Sequence, residues 1–239
     1  MRLDKFLVEK GFFESRNRAS DAIKRGKVFV DGKVAKASLK CDENSKIDID
    51  KEKFYISRAS KKLELFLEEY TMDLKGKRAL DIGSSTGGFV QILLENDVES
   101  VSAVDVGSNQ LHHSLRENSR VNVFENTDIR DFKVDEAFEI VTCDVSFISI
   151  LQILDAIDRL AKRDMILLFK PQFEVGRNVK RDSRGVVVNE EAILEAKKRF
   201  EQRAEALNWK LCYETMSKLA GKSGNVEYIY HFRKVMDEL

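Results

Sequence analysis

A chain that contains Arg78-Ala-Leu-Asp-Ile-Gly-Ser-Ser-Thr-Gly-Gly-Phe89 has few folds open to it. The stretch reads as a short apolar strand ending in an acid, a loop of small residues, and the start of a helix. An α/β sheet builds a nucleotide-type pocket in this way, at the carboxyl end of a strand. The glycine spacing narrows the ligand. Gly83 is followed by three other residues and then by Gly87 and Gly88. That order fails the G-x-G-x-x-G pattern of NAD and FAD sites. A carboxylate two residues before the loop suits a smaller ligand such as S-adenosylmethionine. The cofactor set expected here is Asp81, Gly83, Ser84, Ser85, Thr86, Gly87, Gly88 and Phe89.

The surrounding pattern supports an α/β fold. Strands are expected at 78–82, 100–106, 121–125, 139–143 and 165–170. Helices are expected at 88–96, 108–119, 148–161 and 189–207. Such alternation implies a doubly wound parallel sheet. Strands at 209–214 and 227–232 are joined by too few residues for a helix, so they form an antiparallel hairpin. The combination resembles the methyltransferase variant of the Rossmann architecture, so a Rossmann-like class I methyltransferase sheet is expected.

At 239 residues the chain has room for this domain and a smaller one. Residues 1–40 hold 11 Lys and Arg against 5 Asp and Glu, a net of +6, and the whole chain is neutral. The remainder is therefore −6. A basic module on an acidic body suits a polyanion partner. No apolar run approaches the roughly 20 residues of a membrane helix. The N-terminus lacks the apolar core of a secretory signal. Three scattered cysteines read as reduced thiols without metal-ligand spacing. A cytoplasmic location is expected, with no membrane and no protein partner implied.

The basic module has its own pattern. Leu3, Phe6 and Leu7 make a short amphipathic helix, and Ser15 caps a second one running to Lys24. Lys27-Val-Phe-Val, the turn Asp31-Gly32 and Lys33-Val-Ala form a hairpin. Ile47-Asp-Ile closes it. Arg2-Leu-Asp-Lys-Phe-Leu, Ser15-Arg-Asn-Arg-Ala-Ser and Ile23-Lys-Arg-Gly-Lys-Val resemble an S4 RNA-binding domain. That resemblance implies an α+β module over residues 1–50 that grips structured RNA with Arg2, Lys5, Arg16, Arg18, Lys24, Arg25 and Lys27. A linker at 51–56 and a catalytic domain at 57–239 follow.

Several polar residues sit where the sheet would aim them at the pocket. Asp105 ends the second strand, 22 positions after Gly83, and is placed to accept ribose hydroxyls or to cap a turn. Asp128 follows the third strand and suits the adenine amino group or a plain turn. Asp144 and Lys170 end the next two strands. Pro171, the one proline, holds Lys170 in extended backbone. Methylating a sugar hydroxyl requires its proton to be removed, which a lysine tuned by neighbouring charges can do. Lys62, on a helix before the sheet, and Glu227, at the start of the last strand, complete a set of two lysines and two acids.

That set matches the Lys-Asp-Lys-Glu tetrad of the FtsJ-like ribose 2′-O-methyltransferases. More narrowly, the chain resembles the TlyA (haemolysin A) family, which fuses an S4 domain to that catalytic domain. Ser57-Arg-Ala-Ser-Lys-Lys-Leu63, Cys143-Asp-Val-Ser-Phe-Ile-Ser149, Lys170-Pro-Gln-Phe-Glu-Val-Gly176 and Ser223-Gly-Asn-Val-Glu-Tyr228 carry the resemblance, with the loop at 81–89. It implies S-adenosylmethionine-dependent methylation of a cytidine 2′-hydroxyl in ribosomal RNA or a ribosomal subunit. Lys62, Asp144, Lys170 and Glu227 would be catalytic. Lys61 stands where the family usually has histidine, and Tyr55 where longer members have tryptophan. The tight ends look like the shorter family type, associated with 23S rRNA alone; the longer type modifies both subunits, so 16S rRNA stays open as a further target.

Three rivals are weaker on the residues. A pore lacks an apolar span or a lipid-facing strand set. A phosphate loop at Gly221-Lys-Ser223 lacks its first glycine, since Met216 stands there. A non-catalytic RNA binder has no need of two lysines and two acids around a pocket.

Overall fold

The computed structural model describes residues 1–24, 26–36, 38–50, 54–221 and 223–235. It divides into two compact units, Met1–Phe54 and Tyr55–Leu239.

In the first unit, α1 (Leu3–Glu9) and α2 (Arg16–Lys24) lie with a three-stranded antiparallel sheet. Strands β1 (Val28–Val30) and β2 (Lys33–Val34) form the hairpin, and β3 (Ile47–Ile49) pairs with the other side of β1. Leu3, Phe6 and Leu7 recur on one face of α1, and Ala19 and Ile23 on one face of α2. Together with Val28 and Val30 they make the core.

The second unit opens with α3 (Arg58–Glu69) and then alternates. Its parallel strands are β4 (Arg78–Ile82), β5 (Ser100–Val104), β6 (Val121–Phe124), β7 (Phe138–Cys143) and β8 (Ala161–Phe169). The antiparallel pair β9 (Trp209–Met216) and β10 (Tyr228–Lys234) closes one edge. The sheet order is β6-β5-β4-β7-β8-β10-β9. Chain order reverses beside β4, so the loop after β4 opens at the switch point where such sheets bind ligands. Helices α4 (Gly88–Glu95), α5 (His113–Arg116), α6 (Leu154–Leu160), α7 (Pro171–Glu174) and α8 (Glu190–Ala206) complete the unit. Near-continuous apolar strands such as Met165–Phe169 are buried on both faces, as a covered parallel sheet requires.

Some boundaries differ from the sequence reading. The helix expected at 108–119 shrinks to α5. Asn109 takes left-handed backbone at φ +54°, which no α-helix continues through, and the Glu125 carboxylate accepts the N–H groups of Asn109 (2.8 Å) and Gln110 (3.0 Å) in that loop. The helix expected at 148–161 is a 3-10 turn at Ile150–Gln152 followed by α6. Strand β8 begins at Ala161 rather than 165, because Lys162 and Arg163 are exposed and mask its pattern. Glu227 precedes β10 instead of opening it.

Candidate active site

Three neighbouring strands bring three charged residues to one edge. Cys143 of β7 is opposite Leu167 of β8, and Tyr228 of β10 is opposite Phe169 of β8. Because β10 runs antiparallel, its start lies at the same edge as the ends of β7 and β8. Asp144, Lys170 and Glu227 therefore follow or precede adjacent strand ends, about 5 Å apart per strand. The Lys170 ammonium lies 2.5 Å from Asp144 Oδ1 and donates to Ser146 Oγ at 2.9 Å. Asp144 Oδ1 is sealed from solvent, and the lysine charge compensates it without an aligned hydrogen bond. Beneath it the Cys143 thiol is buried and pushed up to about 12, which removes it as a nucleophile.

The fourth residue arrives on α3. Ser57 caps this helix by accepting the Ala59 N–H, and Ser60 completes a capping box. Gly88, at the start of α4, lets the two helix ends touch: a Cβ there would lie 2.8 Å from Ser60 N and 2.9 Å from Ala59 Cβ. Gln91 Oε1 accepts from Ile56 N and Ser60 Oγ, each at 2.9 Å. Docked this way, α3 buries Leu63 and Phe66 and points Lys62 into an ion pair with Glu227. Lys62 is 8% exposed and Glu227 is 3% exposed, so each needs the other's charge.

The loop before β10 is shaped around that pair. A Cβ at Gly221 would fall 2.6 Å from Glu227 Oε1. Arg58 donates to Ala220 O at 2.8 Å, and Ser217 N to Glu227 O at 2.8 Å. Sequence reasoning assigned no role to Arg58, Ser146 or Asn225, since none has a spacing signal of its own; Gly221 stood out there only as part of a weak phosphate-loop pattern. It also missed Phe147. This ring is 93% exposed, sits at φ +68° and is 5.6 Å from Phe173. A non-glycine residue in the left-handed region is strained, and such strain collects at functional sites.

The loop after β4 forms the second half of the site. Asp81 is buried and accepts from Thr142 Oγ1 at 2.7 Å, while its own carbonyl accepts from Ser84 Oγ at 2.9 Å. Burial pushes the Asp81 carboxyl up to about 7, so it supports the loop from below. A Cβ at Gly83 would crowd Asp144 O at 3.2 Å, which ties the loop to the β7 end. Ser85 and Thr86 are exposed, and Gly87 turns the chain at φ +94° beneath Leu111 and Leu115. Asp105 joins two loops by accepting Ser85 N (2.8 Å) and Gly107 N (2.7 Å). Asp128 is clasped by Arg130, which holds its carboxyl down at about 2. Gly88 is occupied by α3, and Phe89 is packed in the core.

In the first unit, Arg2 and Arg16 both grip the buried Asp4, at 3.0 and 2.8 Å, and Arg16 leads in lowering its carboxyl. Lys27 pairs with Asp50 at 2.8 Å. Arg18 pairs with Glu14 and lies over the Phe54 ring. Lys5 and Lys24 are exposed. Arg25 lies outside the described residues.

The family model described as FtsJ-like methyltransferase matches residues 55–234, and that described as S4 domain matches residues 1–47. A Campylobacter jejuni protein named 23S rRNA (cytidine-2′-O)-methyltransferase TlyA is 47% identical, across 98% of this chain and 100% of its own length. The chain belongs to the TlyA family. A second TlyA member, the Mycobacterium tuberculosis 16S/23S rRNA (cytidine-2′-O)-methyltransferase, is 36% identical across 99% of this chain and 91% of its own. A solved structure of a hemolysin candidate from Streptococcus thermophilus is 30% identical. It superposes with a TM-score of 0.72, covering 98% of this chain and 88% of that one. The strand order seen here is thus the TlyA methyltransferase fold, carried by residues 55–234.

Proposed function

We propose that this chain methylates the 2′-hydroxyl of a cytidine in ribosomal RNA, with 23S rRNA as its first target. One observation carries the reading. Two buried lysine–carboxylate pairs, Lys170–Asp144 and Lys62–Glu227, stand at adjacent strand ends beside a switch-point loop. The 47% identical relative named for 23S rRNA supports the choice of target.

The residues present fit S-adenosylmethionine. Exposed Ser85 and Thr86, the half-exposed Asp105 and Asp128 carboxylates, and the space that Gly83 leaves at the β7 end suit a ribose and an adenine. When bound, it supplies an electrophilic methyl group and leaves as a neutral thioether. Asp105 would share its carboxylate with the ribose hydroxyls, and Asp128 would face the adenine amino group. Asp81 would hold the loop against the ligand from below.

Lys170, as the neutral amine, takes the 2′-hydroxyl proton as that oxygen forms its new bond to carbon. Asp144 fixes the position of Lys170, and Ser146 accepts one of its hydrogens. Lys62, held by Glu227, donates to the ribose and orients it. Phe147 offers an exposed face on which a base can stack; such contacts contribute about 1–3 kcal/mol. The S4-like domain, residues 1–50, holds the RNA backbone through its basic face. Substrates of this kind put the protein in the cytoplasm.

The test is transfer of labelled methyl from S-adenosylmethionine to purified bacterial 23S and 16S rRNA and to ribosomal subunits. A 2′-O-methyl blocks alkaline cleavage, so label should appear in alkali-resistant dinucleotides that begin with cytidine. Label on a base, or none in RNA, would overturn the reading. In the same assay Phe147→Ala should raise KM for RNA and leave cofactor affinity unchanged; an unaltered KM removes the stacking role.

A further inference from the structure

We infer that the largely exposed segment 176–185 is a second phosphate contact for RNA, in the same compact unit as the catalytic side chains. This rests on the RNA-methylation reading above. Residues 176–188 contain four basic residues and one acid, a net of +3, in a body whose residues 41–239 are net negative. The segment runs from α7, which begins at Pro171 beside Lys170, to α8.

Its backbone is held from within. The Arg181 guanidinium donates to four carbonyls: Gln172 (3.2 Å), Gly176 (3.0 Å), Arg177 (3.2 Å) and Val179 (2.9 Å). Asp182 accepts the N–H groups of Arg184 (2.8 Å) and Val186 (2.9 Å), and these backbone bonds hold its carboxyl down. Val187 is buried in the core, and its N–H donates to Asn225 Oδ1 at 3.0 Å. Asn225 also donates to Gly185 O at 3.5 Å and stands two residues before Glu227. The segment is thus braced on one side by the Lys170 element and on the other by the Glu227 loop.

Three cations remain on its outer surface. Arg177 and Lys180 are exposed, and among the described residues no carboxylate pairs with either. The Arg184 side chain is 72% exposed and pairs with Asp182, at 3.2 Å. Arg181 serves the backbone, Asp182 both the backbone and Arg184, and Arg177, Lys180 and the outward part of the Arg184 guanidinium present charge. Phosphate contacts set the register of a nucleic acid, and in-line transfer to one ribose needs that register fixed close to the reacting atoms. Charge complementarity commits this surface to the RNA backbone flanking the target nucleotide.

The test uses the full chain and bacterial 23S rRNA, with affinity measured against salt concentration. Arg177→Ala, Lys180→Ala and Arg184→Ala are combined in one variant. A control combines Lys75→Ala, Lys133→Ala and Lys162→Ala, three exposed lysines away from this segment. The salt slope should fall by about 0.7–0.9 per lost contact, so by about 2 or more for the triple variant, and affinity near physiological salt should drop at least about tenfold. The control should behave as wild type. The single variant Arg177→Ala should show about one third of the slope change, and S-adenosylmethionine binding without RNA reports intact folding. An unchanged slope, or an equal loss in the control, would overturn the inference. If wild type methylates 23S rRNA while the slope is unchanged, only this contact falls. If wild type does not methylate rRNA, the functional reading falls and takes this with it.

Discussion

At the residue scale the site is a set of charges that the fold can bury only in pairs. Lys170 with Asp144 and Lys62 with Glu227 meet that condition, and removing one partner would strand the other. Asp81 has no ion pair with a basic group among the described residues, and burial raises it to about 7 from an ordinary 3.8. In the unfolded chain this group loses its proton near pH 4, and in the fold near pH 7. Between those values the folded state holds the extra proton, so stability falls as pH rises. Asp81→Asn keeps the acceptor for Thr142 and removes the titration. Urea unfolding between pH 4 and 8 should show the variant gaining on wild type by up to a few kcal/mol as pH rises. Parallel curves would mean that Asp81 is ionised in the fold.

At the element scale, α3 is the part that must be placed correctly, because Lys62 rides on it. Gly88 lets its first turn approach α4, and two of the three atoms that a Cβ would meet are not flexible side-chain ends. Gly88→Ala should destabilise the protein by about 1–3 kcal/mol through overpacking and lower turnover further by shifting Lys62. Calorimetry and a single-turnover assay check this; full activity with an unchanged melting point would contradict it. The same scale shows what was legible in the chain. The strand–loop–helix at 78–89 and the final hairpin followed from local pattern, and the strand-end positions of Asp144 and Lys170 came with them. The helix expected at 108–119 is cut to α5 because Asn109 turns left-handed in a loop held by Glu125, a contact that no local pattern announces. Arg2 and Arg16 read as free surface charge, yet both clasp Asp4, whose burial no periodicity reveals. Phe147 was hidden too, since its exposure depends on a left-handed backbone that a Ser-Phe pair does not announce.

At the scale of the whole molecule, charge is divided between two compact units, a basic one of residues 1–54 and a larger, acidic one. Among the described residues no helix is long and apolar enough to cross a membrane. Replacing Arg18 and Lys24 by Ala should weaken rRNA binding and flatten its salt dependence by about 0.7–0.9 per contact, with cofactor binding unaffected. Unchanged binding would refute a role for that face. Family membership, S4 and FtsJ-like domains and the sheet order all agree with what the motifs implied. The central claim is that Lys170 and its neighbours methylate a cytidine ribose in ribosomal RNA. It is tested most directly by mass mapping of ribosomal RNA from cells that lack this protein, carry it, or carry Lys170→Ala. The account predicts a 2′-O-methylcytidine in 23S rRNA that appears with the wild-type chain alone, the variant being slower by about 10²–10⁴-fold. The same mark at full level with Lys170→Ala, or no change in any cytidine ribose, would contradict it.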